Sequence, residues 1–594
     1  MKLFVPYVKE LKSADARIVA LASFLGASCE TISISHDVNL GEEISVTSSP
    51  DQDAGLILNG CVLKEWVGED GFPSDLISFI LSRFARVIVH GLRPDDFDSR
   101  LVAALSNGNL QSVTAVGGTN PVYEIAYDSG HVCGPFAGLS FGPANPANDH
   151  VFHIKGSAPE LQQLISISGL PFMAAVRLGG TEVLFVASED VADLKAEVGE
   201  APLTDYFSRL LPHAMAIRYA AGDECWRPSK PHAAIVIDDP LLRNNYGFLN
   251  FESLLRRAEE QNFHAAIAFI PHNFRRSSPR ITQMFLENPG RLSICFHGND
   301  HTEAEFASTE TGALSTLLQT AEDRMKAHEE MTSLRCDRVM VFPQGNFSIE
   351  AMRVLRSHNF YAAVNTVPYP MGQEARLTIG ELAQPAVLRY EGFPLFLRRP
   401  CRKTQKHDVA FNAFFGRPLL IVEHHEIFRR PESLLEVAAG INAVVPEVHW
   451  SNLTTVVSNS FLTRRESDGT FRVRPYSASV QVSNNSSLFK RYSIEWKAFC
   501  DRASLDQILE DETPYTEFEI DEVGVRVAAE LPPHSTRRFS VAHRNVFATV
   551  KNLGLGWHAQ AFIRRRLSEV RDNYLSKNQH LLRAAKTVRE HLLH

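Results

Sequence analysis

The sequence predicts a multidomain α/β protein whose central part is a distorted (β/α) barrel. The length of 594 residues exceeds what one hydrophobic core usually supports, so several domains are expected. Strand-like runs alternate with amphipathic helical patterns as far as about residue 455, and the segment that follows has short alternating strands without long helices. We therefore expect an open α/β domain, the barrel, a small β-sandwich and a C-terminal helix, in that order.

Residues 1–225 are expected to form a flavodoxin-like α/β domain with a β-rich extension. Strands are predicted at KLFVPYV, CETISIS, AGLILNG, ARVIVHG and SVTAVGG, with helical spacing in ADARIVALASFLG and SDLISFILSRF. The extension contains the β-rich runs HVFHIKG, FMAAVRLGG and TEVLFVAS. Neither a G-x-G-x-x-G nor a Walker sequence follows a strand, so the sequence assigns no ligand to this domain.

Residues 226–455 repeat strand and helix patterns and are expected to form the barrel. Strands are predicted at AAIVIDD, HAAIAFIPH, LSICFHG, DRVMVFPQG, YAAVNT, PLFLRR and PLLIVEHH. Barrels of this kind carry their sites at the carboxyl ends of the strands. The polar residues that end these runs are therefore the candidates for chemistry.

The last two predicted segments are a β-sandwich and a helix. Residues 456–548 alternate apolar and polar positions, which is typical of a small antiparallel sandwich. Residues 549–594 have helical periodicity and an excess of Lys and Arg, which indicates a basic amphipathic helix. We expect it to dock on the protein with its basic face in solvent, although such a helix can also bind an anionic surface.

Composition limits the function classes. The formal charge of −9 does not favour nucleic-acid binding. No run of 18 apolar residues or signal-peptide core is present, so we expect no transmembrane segment and a cytoplasmic protein. The eight cysteines are scattered singly, which favours reduced thiols. The sequence leaves the oligomeric state open.

Two adjacent carboxylates, Asp238 and Asp239, end the apolar run AIVIDD. Charge at the end of a buried strand is costly without a partner, and a cation is a natural one. The alternative is that one Asp caps a following helix while the other faces solvent.

Two histidines four residues apart, His297 and His301, follow another strand in CFHGNDH. If a helical turn begins at the strand end, both imidazoles lie on one face and can converge on one ion. Together with an Asp they would form a ligand set with open positions, which is the catalytic rather than the structural arrangement.

The barrel segment resembles the polysaccharide deacetylase family, also known as the NodB homology domain or carbohydrate esterase family 4. The resemblance implies Asp238 as general base, Asp239, His297 and His301 as metal ligands, and His424 or His425 in PLLIVEHHE as general acid. VFPQGNFS resembles the third family motif, and LRSHNFYAAVNT is similar to the segment after it.

The chain departs from the family pattern at several positions. Ile237 and Pro240 flank the Asp pair, Gly298 replaces the usual Ser or Thr, and Val341 stands where many members have an Arg that tunes the base. The fourth motif, which contains an Asp, is not found. Five arginines are candidate replacements for the missing one: Arg243, Arg275, Arg276, Arg398 and Arg399.

The resemblance implies a metal-dependent hydrolase that removes acyl groups from an N-acetylated sugar or glycan precursor. Zn²⁺ is the first candidate cofactor, with Co²⁺, Ni²⁺ and Mn²⁺ as alternatives. Substrate contacts are expected from His272, Arg275 and Gln344. Two other hypotheses stay open: a non-catalytic protein that binds glycan or a partner, and a C–N hydrolase acting on a non-sugar amide.

Overall fold

The computed structural model describes residues 1–34, 54–68, 74–145, 147–156, 158–199, 203–302, 304–373, 376–497, 504–522, 524–548 and 555–575. The chain divides into two compact units. The first contains Met1–Arg227 together with Leu377–Gly380 and Arg464–Glu466, and the second contains the rest of the described chain. None of the helices in the described ranges is both long and apolar enough to cross a bilayer. The cysteines in these ranges are free thiols, and Cys500 lies outside them.

The first unit is built on a nine-stranded sheet. Its strands, in spatial order, are Cys29–Ser33, Lys2–Tyr7, Ala54–Asn59, Arg86–His90, Thr181–Val186, Leu170–Leu178, Leu161–Ile167, Tyr123–Ile125 and Ser140–Phe141. Neighbours among the first five strands pair in parallel, and the remaining pairs are antiparallel. The predicted open α/β sheet is therefore present, and the extension runs FMAAVRLGG and TEVLFVAS belong to the same sheet. The runs SVTAVGG and HVFHIKG do not, because they pair with each other outside it.

The helices of the first unit and one separate strand pair complete it. The longer helices are Ser13–Leu25, Gly60–Val67, Ser74–Arg83, Asp96–Leu105 and Phe207–Ala221. Strand Leu110–Ala115 pairs with His150–Ile154 outside the main sheet.

The centre of the second unit is a nearly closed parallel sheet of nine strands. The short strand His449–Trp450 pairs with the start of the first strand, and the other eight strands form one continuous path. They are β1 (His232–Asp238), β2 (Ala265–Phe269), β3 (Leu292–His297), β4 (Cys336–Val341), β5 (Ala362–Asn365), β6 (Leu395–Leu397), β7 (Arg399–Pro400) and β8 (Leu419–His424). Neighbours along the order β6-β5-β4-β3-β2-β1-β8-β7 are parallel. The expected distorted (β/α) barrel is confirmed.

Helices cover the barrel strands. The main ones are Phe251–Glu260, Pro279–Glu287, Thr311–Thr332, Ile349–Ser357, Lys406–Phe415, Glu432–Val444 and Leu453–Ser458. Helix Phe251–Glu260 illustrates the local cause of this packing. The side chain of Asn250 caps its N-terminus, and the apolar residues Phe251, Leu254 and Ala258, at three-to-four spacing, form its buried face. All seven residues of β1 are buried, as expected of a parallel strand covered on both faces. The parallel strands bring Asp238, His297 and His424 to one end of the barrel.

The β-sandwich consists of two sheets around one core. One contains Phe461–Arg465, Phe471–Pro475, Lys490–Trp496, Val525–Leu531 and Phe518–Ile520, and the other contains Ser479–Asn484, Ser535–His543, Leu505–Glu510 and Thr513–Tyr515. Buried Trp496, Ile494, Val480 and Phe539 share the core. The sandwich is not wholly antiparallel: Phe471–Pro475 and Lys490–Trp496 pair in parallel, because Ser479–Asn484 between them lies in the other sheet.

The described part of the C-terminal segment is a helix, Leu555–Val570, which continues as one π-helical turn, Arg571–Leu575. Glu569 pairs with Arg276, and Asp572 accepts a hydrogen bond from Tyr246. The helix therefore packs near the carboxyl ends of the barrel strands. The other residues of the predicted helix, 549–554 and 576–594, lie outside the described residues.

Candidate metal centre

Three side chains predicted as metal ligands converge at the carboxyl ends of β1 and β3. Asp239 Oδ1 lies 3.4 Å from His297 Nε2 and 3.1 Å from His301 Nε2. The ligand atoms of all three residues lie within 4.8 Å of one another. His297 is buried, whereas Asp239 and His301 are partly exposed. The cluster is thus open on one side.

The two distances from Asp239 to the histidine nitrogens fit a single small divalent cation. Two ligand atoms of one tetrahedral ion lie about 3.3 Å apart when each bond is about 2.05 Å long. His297 Nδ1 lies 3.0 Å from the carbonyl oxygen of Val341, which can only accept, so Nδ1 carries the proton and Nε2 presents its lone pair to the cluster. One carboxylate and two imidazoles suit Zn²⁺ and its neighbours in the transition series.

The segment that carries the two histidines is an irregular loop, so the helical turn that could have aligned the imidazoles of His297 and His301 is not present there. Gly298 and His301 have φ angles of 64° and 54°, which no right-handed helix accommodates. The histidines converge because these two left-handed residues turn the chain back on itself. Asp239 also has a positive φ, 82°, so strained backbone sits on both sides of the cluster.

Buried Glu305 organises this loop. Its carboxylate accepts hydrogen bonds from four backbone N–H groups, those of residues 299, 300, 301 and 302, at 2.9 to 3.4 Å. Thr302 adds its hydroxyl at 3.2 Å. Burial raises the pKa of Glu305, although the backbone donors oppose that shift. The side chain is thus an internal anchor for the backbone around His301.

Gly298 is required by the same packing. A Cβ on this residue would lie 2.0 Å from Glu305 Oε1 and 2.4 Å from Pro343 Cγ. This contact and the positive φ together explain why the Ser or Thr of the resembled family is absent here.

Asp238 forms a buried ion pair with Arg398. Arg398 donates from Nη1 to Oδ1 at 2.6 Å and from Nη2 to Oδ2 at 2.7 Å. Burial alone would raise the pKa of Asp238, but the charges of Arg398 and His297 outweigh it and hold that pKa below its ordinary value. Of the five arginines considered as replacements, Arg398 is the one paired with Asp238. It stands between β6 and β7, where the barrel sheet is interrupted.

The two histidines at the end of β8 have different surroundings. His424 is exposed, and its Nε2 lies 4.0 Å from Asp238 Oδ2. His425 is buried against Tyr246, with its Nε2 3.7 Å from Asp572 Oδ1. His424 therefore has the position from which a proton can reach a group bound beside Asp238.

The three residues expected to contact substrate are spread over the same end of the barrel. His272 Nδ1 lies 2.9 Å from the buried carboxylate of Asp300. Arg275 is exposed and lies over the ring of Phe274. Gln344 is exposed and has a left-handed backbone, φ 58°.

Two contributions to the centre have no signal in the sequence. Glu305 lies in TEAEF, where nothing distinguishes its carboxylate from those of its neighbours. Arg324, on helix Thr311–Thr332, donates to Asn299 Oδ1 and Asp300 Oδ1, both at 2.6 Å. An arginine on an amphipathic helix normally suggests a solvated face, so only the folded structure reveals this contact.

No protein-family model matches the chain, and no curated protein matches it. Among solved structures it is similar to Agd3, a carbohydrate deacetylase, at 10% identity and a TM-score of 0.49, covering 91% of this chain and 98% of that one. It is also similar to a family 4 carbohydrate esterase from Streptomyces lividans, at 9% identity and a TM-score of 0.24, over 38% of this chain and 94% of that one. A family 4 acetyl xylan esterase from Clostridium thermocellum, in complex with cobalt, has 11% identity and a TM-score of 0.24, over 38% of this chain and 89% of that one.

Proposed function

We propose that the chain is a metal-dependent hydrolase that removes an acyl group from the nitrogen of an acylated sugar. The observation that carries this proposal is the convergence of Asp239, His297 and His301 beside the paired carboxylate of Asp238. A cation site next to a positioned base is the arrangement by which metal-dependent enzymes hydrolyse amides.

Asp239, His297 and His301 would hold the cation, with Zn²⁺ as the first candidate. When bound, it would polarise the acyl carbonyl and make water more acidic. The hydrogen bond between His297 and the carbonyl of Val341 supports this assignment because it fixes the imidazole tautomer that a metal ligand needs. Glu305 holds the backbone of His301 in place.

Asp238 would take the proton of the attacking water. Arg398 keeps this carboxylate ionised and fixes its orientation through two hydrogen bonds, so that the base is present over a wide pH range. The same pairing makes Asp238 a weaker base than an isolated carboxylate, which is compatible with a water acidified by the cation.

His424 would give a proton to the amine that leaves. Its side chain is exposed and stands near Asp238, so an imidazolium there can reach a leaving group bound between them. His425 is not assigned this role, because its Nε2 faces Asp572 and Glu426.

The sugar in this proposal comes from the sequence resemblance. The fold alone leaves the substrate open, since barrels of one architecture serve many chemistries. A non-catalytic role and the hydrolysis of a non-sugar amide are the outcomes against which the proposal is tested.

Metal analysis and acetate release together test it. Wild-type protein loaded with Zn²⁺ is expected to retain about one ion per chain, and Asp239→Ala and His297→Ala are expected to lose it. His534→Ala, at an exposed histidine of the sandwich, is the matched control. Full Zn²⁺ occupancy in both ligand variants would overturn the assignment of Asp239 and His297 as metal ligands.

Acetate release is then measured on chito-oligosaccharides and on N-acetylated peptides. Metal-dependent release from the sugars that Asp238→Asn abolishes is the expected result. Release from the peptides alone would point to the non-sugar amide, and a metal-loaded protein that binds the sugars without turnover would point to the non-catalytic role.

A further inference from the structure

A pocket of about 410 Å³ opens between the loops that follow β1 and β2. Its lining consists of three arginines and three neutral polar residues: Arg243, Asn244, Arg275, Arg276, Ser277 and Ser278. The N–H of Ser278 donates to the carbonyl of Leu242 at 2.7 Å and joins the two loops. Arg243 follows Asp239 by four residues, so the pocket lies at the same end of the barrel as the metal centre.

The arginines of this pocket differ in how their charge is balanced. Arg276 forms two hydrogen bonds with Glu569 of the C-terminal helix and a third with Asn273. The guanidinium group of Arg275 lies over the ring of Phe274, 4.9 Å from the ring centroid, and this contact does not neutralise the positive charge of the arginine. Within the described ranges, no carboxylate lies within ion-pair distance of Arg243 or Arg275.

Two guanidinium groups in one pocket, neither paired with a carboxylate of the described residues, favour an anion. Like charges that share a site raise each other's energy, and a bound anion relieves that repulsion. The planar fork of arginine matches the oxygens of a carboxylate or a phosphate. Asn244, Ser277 and Ser278 supply neutral groups for the hydroxyls of a sugar, although Ser277 Oγ is also 2.9 Å from His328 Nε2.

We infer that this pocket binds an anionic group on the N-acylated sugar, so that the substrate class is an acidic glycan or sugar. This inference rests on the proposed function for the acyl chemistry but makes a separate claim about recognition. Arg243 and Arg275 contact the anion, and Glu569 holds Arg276 beside it. The charge can be a uronate carboxylate or a sugar phosphate, because each presents a pair of anionic oxygens that a guanidinium group can bind.

Binding of matched probes tests the inference without requiring turnover. Calorimetric titration of the full chain uses three probes: N-acetylglucosamine 6-phosphate, neutral chitotetraose and a hyaluronan tetrasaccharide. In hyaluronan, glucuronate alternates with N-acetylglucosamine. We expect at least one of the two anionic probes to bind about tenfold or more tightly than chitotetraose, and its affinity to fall with added salt. Which anionic probe binds better distinguishes carboxylate from phosphate.

Variants then assign that preference to the pocket. Arg243→Gln with Arg275→Gln is expected to weaken binding of the anionic probe about tenfold or more, and to leave chitotetraose unchanged. Arg256→Gln is the matched control, since Arg256 is an exposed arginine of helix Phe251–Glu260 outside the pocket. Unfolding curves of the double variant check that it is folded.

The inference fails if wild type binds both anionic probes no better than the neutral one, or if the double variant keeps the full preference. Loss of acetate release on every substrate, with the anionic preference intact, would overturn the proposed function and leave this binding site standing. Release of acetate from neutral and anionic probes at equal efficiency, with equal affinities, would overturn this binding site and leave the proposed function standing.

Discussion

Arg398 binds Asp238 through two parallel hydrogen bonds of 2.6 and 2.7 Å, although 160 positions separate these residues in the chain. Both side chains are buried. The pair joins the end of β1 to the interruption between β6 and β7, so it links the candidate base to the least regular part of the barrel. A buried charge pair costs desolvation but becomes very costly to break once formed.

Removing the arginine is therefore expected to affect both the pH profile and the stability. The pKa of Asp238 is held low by Arg398, so the pair stabilises the fold above the carboxyl's ordinary pKa and loses that contribution as pH falls through the lowered value. In Arg398→Gln, the charge of Arg398 no longer opposes the effect of burial on Asp238, so the pKa of Asp238 rises. The acid limb of kcat/KM should move upward by about one pH unit or more.

The same variant should unfold more easily, by about 3 to 5 kcal/mol, because it leaves a buried carboxylate unpaired. The double variant Asp238→Asn with Arg398→Gln is the control, since it removes both charges and should recover part of the stability. Equal thermal unfolding of wild type and Arg398→Gln would contradict the assigned pairing.

Much of the centre could be predicted from the sequence because its chemistry is local. Asp239 follows a buried apolar strand, and His297 ends another. Residue type and strand position are therefore enough to predict that both side chains lie at one end of the barrel. Parallel strands gather their carboxyl ends regardless of side-chain detail. The meeting of Asp239 and His297 at one end of the barrel therefore follows from patterns in the sequence.

The remaining parts depend on tertiary contacts that no local pattern encodes. Arg398 was one of five arginines, and only the closing of the barrel brings it to Asp238. The four-residue spacing of His297 and His301 does not determine the loop conformation, because a helical turn and a left-handed turn can bring the two imidazoles equally close. Glu305 had no signal because its function arises from four backbone N–H groups of that turn.

Glu305 is expected to control metal affinity without touching the metal. Glu305→Ala removes the acceptor of four backbone N–H groups and should free the His301 segment, weakening Zn²⁺ binding by about 10- to 100-fold. Glu310→Ala, at an exposed glutamate five residues further on whose side chain caps no helix, should bind Zn²⁺ like wild type. Competition with a chromophoric chelator measures both, and unchanged affinity in Glu305→Ala would count against this role.

Gly298 gives a test of the same loop by steric means. In Gly298→Ala the methyl group meets Glu305 and Pro343 at 2.4 Å or less, and the positive φ adds strain. We expect a loss of stability of about 1 to 3 kcal/mol together with weaker metal binding. Gly290→Ala is the control, because nothing lies within 4 Å of a Cβ built there. Denaturant unfolding compares the two, and similar midpoints would contradict the packing described.

Asp98, in the first unit, predicts a pH dependence of stability of the opposite sign to that of Asp238. It is buried, and burial raises its pKa to about 6 from 3.8. The folded chain therefore holds a proton that the unfolded chain releases, so this contribution to stability is present below about pH 4 and is lost as pH rises towards about 6.

Asp98→Asn should flatten that part of the profile, because the amide does not titrate and can still accept from the N–H of Arg93. The exposed Asp96, replaced by Asn, serves as the control. Hydrogen exchange of strands Ala54–Asn59 and Arg86–His90 between about pH 4 and pH 6 follows the first unit by itself. An unchanged slope in Asp98→Asn would show that another group is responsible.

Asp572 is expected to hold the C-terminal helix on the barrel. Its carboxylate accepts from the hydroxyl of buried Tyr246 at 2.7 Å, and His425 Nε2 lies 3.7 Å away. Burial would raise the pKa of Asp572, but hydrogen bonds from His425 and Arg571 lower it overall, so the contact should persist to acid pH. Asp572→Ala leaves the phenol without this acceptor, which should cost about 1 to 3 kcal/mol.

Limited proteolysis of Asp572→Ala measures this docking, since a helix released from the barrel is cut faster. Tyr246→Phe, which removes only the hydroxyl, should show a smaller increase in cleavage of residues 555–575. Tyr574→Phe is the matched control because Tyr574 is exposed on the same segment. If Asp572→Ala is cleaved at the wild-type rate, other contacts, such as the pair of Glu569 with Arg276, suffice to hold the helix.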